Sequence, residues 1–146
     1  MATTSTLITV KSAIVSLLEA ALPTVQVSYH HPGEPGMESE CIFLGHAVST
    51  NEIPVMRSGR KKTDERYTVQ VVIEVKGEGL TQLGADTRCV ELFGEVEDII
   101  ADDPNLGMSS TIHWARLAGW EQIGGSTGTG HGCRIEADVE VYARLN

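Results

Sequence analysis

The chain has 146 residues, 41% of them hydrophobic and 21% charged, so it is long enough for one globular domain and is atypical of disorder. It contains no apolar run of 18 residues, which argues against a transmembrane helix. Its formal charge of −9 argues against general affinity for nucleic acid, because a sequence-independent DNA binder needs many cations. We therefore predict a single domain over residues 1–146 with no membrane partner.

The first predicted element is an amphipathic helix over residues 5–22. Its apolar residues recur at spacings of three and four and form one stripe: Leu7, Val10, Ile14, Leu17, Leu18, Ala21 and Leu22. Pro23 ends the helix, since the residue before a proline is disfavoured in the helical conformation. The stretch lacks a basic start and is interrupted by Lys11 and Glu19, so we interpret it as a helix and not a signal peptide.

Two extended segments follow the helix. The alternation in "TVQVSY" (24–29) predicts a short strand, and the compact apolar run "CIFLGHAV" (41–48) predicts a second. The intervening "HHPGEPGMESE" (30–40) is typical of a loop, because it contains prolines and glycines.

Residues 49–65, "STNEIPVMRSGRKKTDE", predict an extended hairpin arm with Gly59 at its tip. After the arm, alternate residues from Tyr67 to Val75 are apolar, which predicts a half-buried strand. Val72 interrupts the polar side of this strand, which is compatible with a partner that covers it.

A second helix is predicted within residues 77–107 and ends before Pro104. Its apolar residues again step by three and four: Ala85, Cys89, Leu92, Val96 and Ile99. Asp98, Asp102 and Asp103 lie near its C-terminus, where acids interact unfavourably with the helix dipole. This misfit is compatible with an inter-subunit contact or with no role at all.

The remaining sequence predicts two strands separated by a glycine-rich loop. The first, "TIHWARLAGWE" (111–121), is expected to place Ile112, Trp114 and Trp120 on one side. Residues 122–132 predict the loop, and the alternation in 133–145 predicts a half-buried final strand. The expected class is α+β, with a mainly antiparallel sheet, two helices packed on one face and a long β-hairpin arm.

No catalytic residue, cofactor or metal site is predicted. The loop at 124–132 lacks the lysine of a phosphate-binding loop and precedes a strand instead of a helix. The histidines in "HHPGE" match no zinc spacing, and Cys41, Cys89 and Cys133 are far apart. A nucleophile assembled in space is not excluded, so a small enzyme or ligand-binding domain stays as an alternative.

The candidate site residues form a basic cluster: Arg57, Arg60, Lys61 and Lys62. Three interpretations are open. The cluster could be a soluble hairpin tip, an arm that forms ion pairs with an acidic neighbour, or a contact with nucleic acid. No aromatic residue lies within the cluster, so stacking on bases is not indicated.

The order of these elements resembles the tail terminator (tail completion) proteins of bacteriophages with long, non-contractile tails. The resemblance runs over nearly the whole chain. It is carried by "VKSAIVSLLEAALP", "VQVSYHHPGEPGMESECIFLG", the arm leading into "DERYTVQVVIEVKGEG", the helix end "DDPNLG" and the final "EADVEVYARL". The glycine-rich loop departs from the pattern, and no role is carried over to it.

The resemblance implies a structural virion protein that forms a hexameric ring at the head-proximal end of the tail tube. Such a ring stops tube polymerisation and joins the tail to the head, without catalysing a reaction. Its implied partners are copies of itself, the tail tube protein and head–tail connector proteins, while DNA passes through the lumen without specific binding. The implied location is the virion, after assembly in the host cytoplasm. The basic cluster would then serve protein docking. A head–tail adaptor or a tail tube subunit is the closest alternative.

Overall fold

The computed structural model describes residues 5–33, 36–49, 64–127 and 130–144. It contains two helices, α1 (Leu7–Ala21) and α2 (Gln82–Asp102), and five strands: β1 (Gln26–Ser28), β2 (Glu40–Ser49), β3 (Asp64–Glu78), β4 (Ile112–Thr127) and β5 (Gly130–Arg144). Within the described ranges, neither helix is long and apolar enough to span a bilayer.

The strands form one mixed sheet in the order β1-β2-β3-β5-β4. β1 runs parallel to β2, and the other three neighbouring pairs are antiparallel. This is an α+β arrangement, as predicted. The predicted arm falls largely on residues 50–63, which lie outside the described residues together with the basic cluster.

Both helices pack on the same face of the sheet, the helix side. The alternating residues of β3 and β5 point into this core, and Val69, Val71, Ile73, Ile135 and Val139 are fully buried there. This confirms the two predicted half-buried strands, because side chains alternate between faces along a strand. α1 contributes Val10, Ile14 and Leu18, and α2 contributes Ala85, Cys89, Leu92, Val96 and Ile100. Ile100 therefore fills the core position that the sequence predicted for Ile99.

The N-terminus of α1 is fixed to the sheet by a carboxylate from β3. Oε1 of Glu65 accepts hydrogen bonds from the backbone N–H and the hydroxyl of Thr6, both at 2.6 Å. The Thr6 hydroxyl also lies 2.9 Å from the Tyr67 hydroxyl, and burial raises the pKa of Tyr67 to about 12. Glu65 thus replaces the side-chain cap that Thr6 does not provide, and it places a negative charge at the positive end of the helix dipole.

The predicted glycine-rich loop at 122–132 is wrong, because most of it is strand. β4 continues to Thr127 and β5 begins at Gly130, with Gly124 opposite Cys133 and Gly125 opposite Gly132. Two glycines, Gly124 and Gly130, allow neighbouring groups to approach the strand backbone closely. A Cβ at Gly130 would overlap the backbone of Gly77, and one at Gly124 would lie 2.7 Å from Nε2 of Gln82. The glycines serve tight packing of strand and helix, which their number alone does not reveal.

The prediction that Ile112, Trp114 and Trp120 share one side is wrong for Trp114, whereas Ile112 and Trp120 both lie on the helix side. β4 contains two β-bulges, one between Ile112 and Trp114 and one between Leu117 and Gly119. Each bulge adds one residue relative to β5 and so reverses which face the following side chains take. Ile112 is buried in the core, Trp114 lies beside Tyr142 on the opposite face, and Trp120 contacts Phe93 of α2.

The face opposite the helices, called the open face, carries a small apolar cluster of its own. Cys41 and Phe43 of β2 pack with Val72 of β3, and Met37 of the preceding loop lies against them. Val72 is 1% exposed. The interruption in the polar side of β3 is thus covered by the chain itself.

Candidate functional site

The basic cluster predicted as the contact site lies outside the described residues. Within the described fold, two exposed surfaces combine chemistry that is typical of protein contacts. One lies on the open face of the sheet and the other on the outer side of α2.

The first surface, the aromatic–arginine cluster, consists of Arg66, Trp114, Arg116 and Tyr142. The Arg66 guanidinium lies 4.6 Å from the ring centroid of Tyr142, and that of Arg116 lies 4.6 Å from the centroid of Trp114. The two rings are themselves 5.9 Å apart. Arginine and aromatic side chains are enriched at protein interfaces, where rigid rings and planar cations provide contact area at low entropic cost.

Polar groups hold the rim of this cluster in place. Oδ1 of Asp64 lies 3.1 Å from Nε2 of His113, and Oδ2 accepts a hydrogen bond of 3.1 Å from the Tyr142 hydroxyl. Hydrogen bonding to His113 and to Tyr142 outweighs partial desolvation and lowers the pKa of Asp64. Arg116 forms an ion pair of 3.4 Å with Glu140. These contacts give the side chains of the cluster defined positions.

Strand register assembles the cluster, so no local pattern in the sequence predicts it. Arg66 of β3 and Trp114 of β4 both pair with Tyr142 of β5 from opposite sides. The first bulge turns Trp114 onto the open face. The only local indication of the cluster in the sequence is that the aromatic Tyr142 falls among the polar residues of the alternation in β5.

The second surface, the acidic stripe, consists of Glu91, Glu95, Asp98 and Asp102. All four are exposed, and their spacings of four, three and four residues place them along one side of α2. Among the described residues, the only ion pair of the stripe joins Glu91 to Arg88 at 3.4 Å. The last turn of α2 contains no basic residue. Asp103, the next acid in the sequence, lies outside the stripe and accepts a hydrogen bond of 3.1 Å from the backbone N–H of Gly107.

Two large apolar residues are exposed on the same helix. Leu83 is 78% exposed and Val90 is 53% exposed, and they are two turns apart on the side next to the acidic stripe. Single exposed apolar side chains are ordinary on protein surfaces, so Leu83 and Val90 point to a contact only in combination with the row of like charges beside them.

The cysteines are placed for packing. All three are buried, and desolvation raises the pKa of Cys41 to about 11 and also raises the pKa of Cys89 and of Cys133. A raised pKa disfavours the thiolate that nucleophilic catalysis requires. In the described ranges, no group of three or more His, Cys, Asp and Glu side chains is arranged around a possible metal position.

The histidine pair also has a local structural role. The ring of His31 lies 4.9 Å from that of Phe43, and its Nδ1 accepts a hydrogen bond from the backbone N–H of Gly33. His31 thus packs the loop against the apolar cluster of the open face.

The glycine-rich end of the β4–β5 hairpin forms a polar depression against the first turn of α2. Nε2 of Gln82 donates to Asp86 at 2.7 Å and to the Gly132 carbonyl at 3.0 Å. Nε2 of Gln122 donates to Asp86 at 3.2 Å and to the Cys133 thiol at 3.2 Å. Both amides use their donors within the chain, and the Asp86 carboxylate would repel a phosphate, so these side chains are unsuited to anion binding.

Comparison of the chain with models of protein families and with curated proteins finds no match. The functional interpretation therefore depends on the order of elements and on the two exposed surfaces.

Proposed function

We propose that this protein is a structural virion component that forms a ring at the head-proximal end of a long, non-contractile phage tail. The observation that carries the proposal is the element order α1-β1-β2-β3-α2-β4-β5. This is the layout over which the sequence resembles tail terminator proteins. In this role the protein catalyses no reaction and needs no cofactor.

The proposal includes a β-hairpin arm over residues 49–65. What supports it is that β2 and β3 are antiparallel neighbours, with Ser49 opposite Tyr67, so the connecting residues leave and re-enter the sheet on adjacent strands. In the proposed ring the arm contacts the neighbouring subunit through Arg57, Arg60, Lys61 and Lys62. Such a contact joins two different surfaces, and repeated contacts of this kind close into a ring when the rotation between copies is suitable.

The charge of the chain suits a conduit for DNA. Six copies would carry a formal charge of −54, six times the −9 of one chain. A lumen with few free cations does not retain phosphates, so DNA passes through without specific binding. The ring would meet the tail tube protein on one side and head–tail connector proteins on the other, in a virion assembled in the host cytoplasm.

The experiment that tests the proposal measures the mass of the purified protein by light scattering during size-exclusion chromatography. Negative-stain images of the same fraction are then recorded with and without isolated tail tubes. We expect single rings in solution and a single ring at one end of each tube, because a terminator stops after one layer. Denatured tube protein from the same preparation, which has no ordered end, provides the control for non-specific adhesion.

Other outcomes would contradict the proposal. Rings that stack into long cylinders would indicate a tail tube subunit, and rings that leave both ends of every tube bare would favour a head–tail adaptor. A monomer that never decorates a tube would leave the resemblance as one of fold alone.

A further inference from the structure

The outer side of α2 is a surface whose charge favours a cation-rich partner. The acidic stripe runs over twelve residues from Glu91 to Asp102, and the eleven steps between them span about 17 Å at the rise of an α-helix. Glu95, Asp98 and Asp102 form no ion pair with any described residue. The helix dipole places further negative potential at the same end, and no basic side chain of the last turn offsets it.

Exposed apolar residues next to the stripe add a second feature. Leu83 and Val90 lie along the adjacent side of α2 and expose 78% and 53% of their surface. An occupant of this surface would therefore be a polypeptide with both positive charge and apolar contacts. A metal ion or a small cation would leave the two apolar side chains exposed.

The chain itself contains a segment with that chemistry. Residues 57–62 carry four positive charges, the densest group of cations in a protein of only eleven lysines and arginines. Ile53, Val55 and Met56 come shortly before them and supply apolar side chains. Six residues span at most about 17 Å from first to last, so the segment, with the turn predicted at Gly59, is no longer than the stripe.

We infer that the acidic stripe of α2 is the seat for residues 57–62 of a neighbouring copy of this chain. This inference rests on the proposed ring and specifies which surfaces form it. The stripe and the basic segment are different surfaces of one chain, so each copy offers one of each and the contact is heterologous, as ring closure requires. Opposite charges across the contact also speed association and disfavour wrong partners.

The test exchanges the charges of the two surfaces. The stripe variant carries Glu95→Lys, Asp98→Lys and Asp102→Lys. The segment variant carries Arg60→Glu, Lys61→Glu and Lys62→Glu. Sedimentation velocity over a concentration series, in low and in high salt, gives the concentration at which half of each protein is assembled.

Each variant alone juxtaposes like charges, so we expect the half-assembly concentration to rise at least roughly tenfold. An equimolar mixture of the two variants restores both contacts, and we expect it to assemble at nearly the wild-type concentration in rings of alternating copies. A control variant has the same change in net charge as the stripe variant but reverses three exposed acids outside the stripe: Glu19→Lys, Glu38→Lys and Glu78→Lys. It is expected to assemble as the wild type does. Far-UV circular dichroism establishes that every variant is folded.

The outcomes separate this inference from the proposed function. If the stripe variant forms rings at the wild-type concentration, the inference is wrong while the ring stands. If the variants change thermal stability but not mass, the segment docks within its own chain and the inference is again wrong. A wild-type protein that stays monomeric, with and without tail tubes, would overturn the ring and the inference together.

Discussion

The two faces of the sheet are built from the same strands but differ in what holds them together. On the helix side, side chains such as Val71, Ile73 and Val139 are removed from water by α1 and α2. On the open face, the aromatic–arginine cluster is held by stacking and by polar contacts that remain partly hydrated. Apolar burial dominates folding free energy, whereas exposed ion pairs contribute little to it. Most of the stabilising burial therefore lies on the helix side, whereas the aromatic–arginine cluster of the open face adds little to stability.

The largest effect is expected from the core itself. Ile73→Ala removes a fully buried side chain from β3 and should lower the free energy of unfolding by about 3 kcal/mol. Thr68→Ala, on the open face of the same strand, should change it by less than about 0.5 kcal/mol. Urea denaturation followed by circular dichroism measures both. Similar losses at the two positions would contradict the difference between the faces.

A smaller loss is expected where a charge is buried beside the core. Glu65→Gln removes the negative charge that accepts two short hydrogen bonds at the N-terminus of α1. The free energy of unfolding should fall by about 2 kcal/mol, because hydrogen bonds to charged groups are stronger than neutral ones. Glu74→Gln, which lies on β3 outside the core, is the matched control. An equal effect of the two substitutions would show that Glu65 does not anchor the helix.

An ion pair at the rim of the helix side should make a pH-dependent contribution to the free energy of unfolding. Arg88 of α2 forms hydrogen bonds with Glu40 of β2 at 2.6 and 3.0 Å, and these lower the pKa of Glu40 below its ordinary value of 4.5. Because the folded state has the lower pKa, the stabilisation is fully present above pH 4.5 and is lost as the pH falls through the folded value.

Wild type should therefore be more stable than Glu40→Gln by about 0.5–1 kcal/mol at neutral pH, with the difference vanishing in acid. Urea denaturation at a series of pH values measures the difference. A gap that stays constant with pH would mean that the substitution acts through packing and not through charge.

The smallest effect is expected on the open face. Arg116→Ala removes an ion pair and a cation–π contact from a side chain that is 66% exposed. The free energy of unfolding should change by less than about 0.5 kcal/mol, because both interactions are hydrated. A loss as large as that of Ile73→Ala would mean that the cluster is part of the fold and not a surface reserved for contacts.

The parts of the fold that the sequence predicted are those with a regular period. The stripe of α1 and the alternation in β3 and β5 are local patterns, and the structure confirms them because local periodicity and burial agree there. The glycine-rich end of β4 and β5 predicts a loop from local sequence alone, because the reason for its glycines is the close approach of Gly77 and Gln82, which are distant in sequence. The bulges in β4 also depend on pairing with β5 and have no local signature.

The candidate surfaces also differ in whether a local pattern predicts them. The acids near the end of α2 follow from the predicted helix, although Asp103 belongs to the following turn. The aromatic–arginine cluster was missed because its members come from three strands and meet only through register. The basic cluster of residues 57–62 was found from composition alone and stays a prediction.

The second β-bulge also gives the molecule an optical property. Trp114 and Trp120 are six positions apart and would share one face of a regular strand, but the extra residue between Leu117 and Gly119 separates them. One indole lies beside Tyr142 on the open face and the other beside Phe93 of α2. Since indole emission depends on local polarity, two single-tryptophan variants would give native fluorescent probes of the two faces. An event at each surface could then be followed by its own spectral change without an attached label.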